Sequence, residues 1–218
     1  MPASSHNAGP VIILDYGAGN LRSVVRAVER VGFRPDVADV PAALDSAAAL
    51  ILPGVGAAAD TMANLKQRGL VQPVRDYIAA GRPFLGVCMG LQALMTVSEE
   101  GGKHPCLDIL PGRVVRLSAG PTIPHMGWNA VHPLRESPLF DEIPDGSHFY
   151  FVHSYHCLPD DPAAVLATTD YDEPIVAVVE RGNVVATQFH PEKSGANGLR
   201  LYRNFLRSAL CTNDDSGE

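Results

Sequence analysis

Cys88 closes the apolar run Phe84-Leu85-Gly86-Val87, with a glycine two positions away on either side, Gly86 and Gly90. That spacing reads as a strand delivering a nucleophile onto a tight turn, the mechanics that with serine make the G-x-S-x-G elbow of hydrolases. Oriented N–H groups at the start of a following helix would favour the thiolate there. The plainer alternative is a buried cysteine at the end of a core strand. A cysteine nucleophile needs a base to take its proton and return it to the leaving group, and the base needs a third group to hold its tautomer. Val184-Val185-Ala186-Thr187-Gln188-Phe189-His190-Pro191-Glu192 ends a second apolar run in a histidine and an acid. Pro191 pushes His190 towards an extended conformation, so that His190 and Glu192 can point in similar directions past a strand end. The alternative for His190 is a loop histidine satisfied by backbone.

Acyl chemistry at Cys88 also needs N–H donors for a tetrahedral oxyanion, and two sources are at hand. One is the amide of Met89 and the other the glycine-flanked Gly54-Val55-Gly56 loop, which could equally be a plain turn. Gln92 lies one helical turn after Cys88, on a face that can look back at it. Glu100 belongs to the run Ser98-Glu99-Glu100, which also fits a solvated helix end. His153 and His156, three apart in an extended segment, face opposite sides of it, so no metal site is expected there. Trp128, the single tryptophan, is either an interface anchor or a core residue.

Positioning these groups requires strands whose ends converge. Through the first half, apolar strand-like runs alternate with helical periodicity: Val11 to Leu14 then Leu21 to Val31, Ala49 to Leu52 then Ala59 to Leu65 and Val71 to Ala80, Phe84 to Val87 then Leu91 to Val97. This is the pattern of a parallel sheet wrapped by helices, an α/β fold. After Pro111 the rhythm changes to strands and turns: Arg113 to Leu117, Ser147 to His153, Ala164 to Thr168, Ile175 to Glu180 and Asn183 to Thr187, with a hairpin turn at Glu180-Arg181-Gly182-Asn183. A closing helix is expected over Gly198 to Leu210.

At 218 residues, 46% hydrophobic and 19% charged, the chain can bury a core as one domain over residues 11–210, with 1–9 and 212–218 expected to be mobile ends. A net charge of −7 without a basic run argues against nucleic acid as a partner. Apolar stretches are too short for a membrane span, and Met1 to Pro10 lacks the pattern of a signal peptide. Cys88, Cys106, Cys157 and Cys211 have no paired spacing and read as reduced thiols of a cytoplasmic protein.

Leu85-Gly86-Val87-Cys88-Met89-Gly90-Leu91-Gln92 together with Gln188-Phe189-His190-Pro191-Glu192 resembles the class I (triad) glutamine amidotransferases. Four further stretches are similar to the glutaminase subunits of imidazole glycerol phosphate synthases: Asp15-Tyr16-Gly17-Ala18-Gly19-Asn20-Leu21, Leu52-Pro53-Gly54-Val55-Gly56, Pro124-His125-Met126-Gly127-Trp128-Asn129 and Tyr150-Phe151-Val152-His153-Ser154-Tyr155. The likeness runs from about Val11 to about Leu206.

The resemblance implies a flavodoxin-like fold, with a mostly parallel central sheet flanked by helices and additional antiparallel strands in the second half. It implies a Cys88, His190 and Glu192 triad that hydrolyses glutamine to glutamate and ammonia without metal or cofactor. An oxyanion hole from Gly54, Val55, Gly56 and Met89 is implied, its loop misaligned until a partner and its ligand engage. By the same likeness Gln92 and Glu100 contact the α-amino end of glutamine, and the backbone of Ser154 and Tyr155 grips its carboxylate. The implied partner is a (βα)₈-barrel cyclase subunit in a heterodimer. It receives ammonia through a dry tunnel and makes imidazole glycerol phosphate and aminoimidazole carboxamide ribotide in histidine biosynthesis. Tyr16, Gly17, Gly19, Asn20, Pro124, Met126, Trp128 and Lys193 are the expected docking face and tunnel mouth. Three other readings stay open: a glutaminase subunit of another ammonia-dependent synthase such as pyridoxal phosphate synthase, a free-standing cysteine hydrolase of γ-glutamyl peptides, and a non-catalytic regulatory subunit.

Overall fold

The computed structural model describes residues 9–211, apart from Ala18, Ala119 and the side chain of Cys211. The expected mobile ends therefore lie outside the described residues, Gly9 excepted. In chain order the first half runs β1 (Val11–Leu14), α1 (Leu21–Arg30), β2 (Pro35–Ala38), β3 (Ala49–Leu52), α2 (Ala58–Gln67), α3 (Val71–Ala79), β4 (Phe84–Val87) and α4 (Met89–Gln92). The second half runs β5 (Val97–Ser98), β6 (His104–Pro105), β7 (Gly112–Arg116), β8 (His125–Pro133), β9 (Ser147–His153), β10 (Tyr155–Pro159), β11 (Val165–Asp170), β12 (Pro174–Arg181), β13 (Val184–Thr187) and α5 (Gly195–Cys211).

Nine strands form one sheet in the order β2-β1-β3-β4-β13-β12-β11-β8-β9, and β10-β7-β5-β6 form a second. From β2 to β13 neighbouring strands are parallel, and from β13 to β9 they are antiparallel. The parallel strands β1, β3, β4 and β13 are buried along their whole length, because helices cover both faces and leave no side to be polar. Successive residues face opposite layers. Val11 and Ile13 pack with Val24, Val28, Leu201, Tyr202 and Phe205 of α1 and α5. Ile12 and Leu14 pack with Leu65, Val74, Tyr77 and Ile78 of α2 and α3. Gly182, with φ +58°, and Asn183 make the two-residue turn of the β12–β13 hairpin, as the sequence indicated.

The helix expected over Leu91 to Val97 is a single turn, Met89–Gln92. Backbone bonds from Leu94 to Leu91 and from Met95 to Gln92 tighten it to a 3₁₀ turn. The carbonyls of Ala93, Leu94 and Met95, which would carry the helix on, instead accept from the N–H groups of Leu107, Ile109, Leu110 and Asp108. Sequence periodicity also missed β2, β5, β6, β10 and the nine-residue β8.

Candidate active site

Strands β4 and β13 are parallel neighbours in register, Val87 opposite Thr187. Residues that follow their carboxyl ends therefore emerge side by side, at the edge where open α/β sheets bind ligands. Cys88 leaves β4 with φ 54° and ψ −100°, and its N–H donates to Thr187 O at 2.7 Å. The strained residue of the elbow is thus the candidate nucleophile itself. The two glycines serve close approach: a Cβ on Gly90 would stand 2.0 Å from Leu52 O, and one on Gly86 2.7 Å from Gly90 O.

His190 follows β13 in extended backbone, φ −101° and ψ 98°, as Pro191 requires. Its N–H donates to Tyr150 O at 2.9 Å. Ser194 Oγ donates to His190 O at 2.7 Å and accepts from Tyr150 N–H at 2.9 Å, pinning this turn to β9. His190 Nδ1 lies 2.8 Å from Glu192 Oε1, both side chains at most 2% exposed. The same oxygen accepts from Asn20 Nδ2 at 3.0 Å. His190 Nε2 makes no hydrogen bond within ordinary distance and angle limits, so its approach to the Cys88 sulfur is looser than a formed bond, as is common before substrate binds. Burial is the largest single influence on the ring and disfavours its charge. The Cys88 sulfur and the Glu192 carboxylate together outweigh burial and raise the imidazole pKa to about 9.

The cavity above these groups holds about 260 Å³ and is lined by Val55, Gly56, Cys88, Met89, Gln92, Glu100, Val152, His153, Ser154, Tyr155 and His190. A larger surface groove of about 760 Å³ along Pro133 to Asp145 is lined by none of Cys88, His190 and Glu192, so volume alone does not mark the site. The expected substrate residues Gln92, Glu100, Ser154 and Tyr155 all line the smaller cavity. Gln92 is buried, and its Nε2 donates to Tyr155 O at 2.9 Å and to Gln188 Oε1 at 3.2 Å. Glu100 Oε2 accepts from Ala58 N–H at 3.0 Å, so this carboxylate also caps α2. Val55, Gly56 and Met89 line the cavity, whereas Gly54 is buried behind it, where an added Cβ would lie 2.5 Å from both Met89 Cβ and Tyr16 Oη.

The expected docking residues divide. Gly17, Gly19, Pro124 and Lys193 are exposed, and Met126 and Trp128 are 61% and 56% exposed. Trp128 packs edge-on against Tyr150, whose ring also carries Lys193 Nζ at 5.8 Å. Tyr16 is not on the exposed face: it is 1% exposed, its ring buried under Gly54, and burial pushes its hydroxyl up to about 12. Asn20 is half-buried against the Glu192 carboxylate. Sequence reasoning gave no role to Gln188, whose Nε2 donates to Cys88 Sγ at 3.6 Å, or to Ser194. Their positions, two before and four after His190, were the available signal. Among the described residues no three His, Cys, Asp or Glu side chains are grouped to hold a metal, and no helix is long and apolar enough to cross a membrane.

Residues 12–209 match the family model for glutamine amidotransferase class-I. The imidazole glycerol phosphate synthase subunit HisH of Moorella thermoacetica is 50% identical over 196 residues, spanning 90% of this chain and 93% of that one. Its counterpart from Chloroflexus aurantiacus is 52% identical over 202 residues, spanning 90% and 95%. A crystal structure of a glutamine amidotransferase superposes with a TM-score of 0.73 at 24% identity, covering 92% of this chain and 99% of that one, which shows the fold. By its sequence over nearly its whole length, and by the fold it shares with a solved amidotransferase, this chain belongs to the class-I glutamine amidotransferases and, within them, to the HisH subunits of imidazole glycerol phosphate synthase.

Proposed function

We propose that this chain hydrolyses glutamine to glutamate and ammonia and passes the ammonia to a cyclase subunit that makes imidazole glycerol phosphate and aminoimidazole carboxamide ribotide in histidine biosynthesis. The observation that carries the reading is the meeting of Cys88, His190 and Glu192 at the ends of two adjacent, in-register strands. His190 takes the thiol proton and Cys88 Sγ attacks the side-chain amide carbon of glutamine. The proton passes from His190 to the departing nitrogen, ammonia leaves, and a γ-glutamyl thioester remains. Water that gives its proton to His190 then releases glutamate and restores the thiol. Glu192 holds the Nδ1–H tautomer and supports the charged ring.

The amide of Met89 and the Gly54 to Gly56 loop serve as oxyanion donors in this reading, each worth about 10²–10³ in rate. Gln92 and Glu100 take the α-amino end of glutamine, and Ser154 with Tyr155 its carboxylate. Residues 11–210 act as one glutamine amidotransferase domain. Neutral water would protonate free ammonia, so a dry passage to the acceptor site is needed. The acceptor is a (βα)₈-barrel cyclase in a heterodimer. It docks on the face bearing Gly17, Gly19, Pro124, Met126, Trp128 and Lys193, whose exposed apolar side chains support an interface. The cytoplasm, where Cys88, Cys106 and Cys157 stay free thiols, is the matching compartment.

The test mixes this chain, the cyclase, glutamine and the phosphorylated aminoimidazole carboxamide intermediate, and assays glutamate and imidazole product. The wild-type mixture is expected to form both. The Cys88→Ala mixture is expected to form neither from glutamine but to regain imidazole product with free ammonia. Glutamine-dependent product from the Cys88→Ala mixture would overturn the reading.

A further inference from the structure

His125 and His153 stand directly opposite one another on β8 and β9, 2% and 6% exposed, and the mechanism above uses neither. His125 Nδ1 lies 3.1 Å from His153 Nε2. His153 Nδ1 lies 2.9 Å from Tyr155 O, and Asn129 Nδ2 lies 3.3 Å from His125 Nε2. The ends of this chain fix where its protons are. Asn129 Oδ1 accepts from Ala130 N–H and Asn129 Nδ2 donates to Asp170 O, so the amide face towards His125 is the donor. A carbonyl only accepts, so His153 Nδ1 donates to Tyr155 O. His153 Nε2 is then the acceptor, His125 Nδ1 the donor, and both rings are neutral Nδ1–H tautomers. Burial, the leading cause at each ring, agrees: it lowers His125 to about 4 and His153 to about 3.

Tyr155 O is where this ordered chain meets the cavity, because it also accepts from Gln92 Nε2 at 2.9 Å. From Gln92 the bonds run on through Gln188 to Cys88 Sγ. At the other end, the ring of His125 stacks on Tyr171 at 3.9 Å and on Phe151 at 4.7 Å, which holds its plane. The geometry points to His125 and His153 as positioning residues for glutamine hydrolysis: the pair holds the Tyr155 carbonyl, and through it Gln92, in the orientation the cavity presents to glutamine. The inference rests on the reading that this cavity takes glutamine.

Kinetics of the wild-type and variant chains with the cyclase test it. His153→Phe keeps an aromatic ring of similar size but removes one of the two donors to Tyr155 O, and is expected to raise KM for glutamine about tenfold with kcat changed by less than about threefold. His153→Asn, which restores an amide N–H near the Nδ1 position, is expected to bring KM back to within about threefold of wild type. Glutamate release by the wild-type complex with an unmoved KM in His153→Phe overturns the inference alone. No glutamate release by the wild-type complex overturns the glutaminase reading and the inference with it. Ring ¹⁵N NMR of the wild-type chain gives a readout independent of variant folding. Two neutral Nδ1–H tautomers at neutral pH are expected, and an Nε2–H or doubly protonated ring at either position contradicts the inference.

Discussion

His190 is pulled two ways: burial disfavours its charge, while the Cys88 sulfur and Glu192 raise its pKa to about 9. In the proposed mechanism the protonated ring is the acid that delivers a proton to the leaving nitrogen, so glutamine turnover is expected to fall as pH rises through about 9. Glu192→Gln removes one of the two influences that raise this pKa, so the alkaline fall should move to lower pH and kcat should drop by about 10²–10⁴. A pH profile of glutamate release for both proteins checks the sign: an alkaline limb that stays in place in Glu192→Gln contradicts the assignment. Asn20 offers a second check, since it donates to the same carboxylate oxygen from 172 positions away. Asn20→Ala forfeits a hydrogen bond to a charged group, and kcat is expected to fall about tenfold or more. The proposed triad could be read from the sequence because a cysteine between glycines and a histidine two residues from an acid each stand at the end of an apolar run. The contacts of Asn20 with Glu192, of Gln188 with Cys88 and of Ser194 with His190 could not, because they are set by which strand ends meet.

Strands β4 and β13 could be read directly from their apolar runs, because a parallel strand covered on both faces has no polar side to confuse the pattern. Strand β8, His-Met-Gly-Trp-Asn-Ala-Val-His-Pro, could not: it mixes buried His125 and Val131 with exposed Met126 and Trp128 and carries a glycine at φ +135°. The short α4 was over-extended, since periodicity from Leu91 to Met95 reflects burial on every side, and the competing partners of its carbonyls come from Leu107 to Leu110. The elbow makes a sharp prediction of its own. In Gly90→Ala the new Cβ would stand 2.0 Å from Leu52 O, and two backbones cannot yield as side chains do. Destabilisation of about 1–3 kcal/mol or more is expected, with loss of glutaminase activity. Thermal melts and glutamate assays measure it, and a fully active, fully stable Gly90→Ala contradicts the packing argument.

Across the whole molecule, the helix-covered parallel half supplies Cys88, His190 and Glu192, and β8 with β9 carries the exposed side chains of Met126 and Trp128. Trp128 is 56% exposed in the isolated chain, so its truncation removes little internal packing. Trp128→Ala is expected to leave the melting temperature of the isolated chain unchanged while weakening association with the cyclase by about 2 kcal/mol or more, roughly 30-fold in Kd. Titration of cyclase against each chain reads this, and an unchanged Kd moves the docking face elsewhere. The central claim, that glutamine passes through a covalent intermediate on Cys88, is tested most directly by mass spectrometry. The wild-type complex is rapidly quenched in acid during turnover of saturating glutamine, and its peptides are mapped. The account predicts a γ-glutamyl group on Cys88 and none on Cys106 or Cys157; sustained glutamate release with Cys88 unmodified, or by Cys88→Ala, would contradict it.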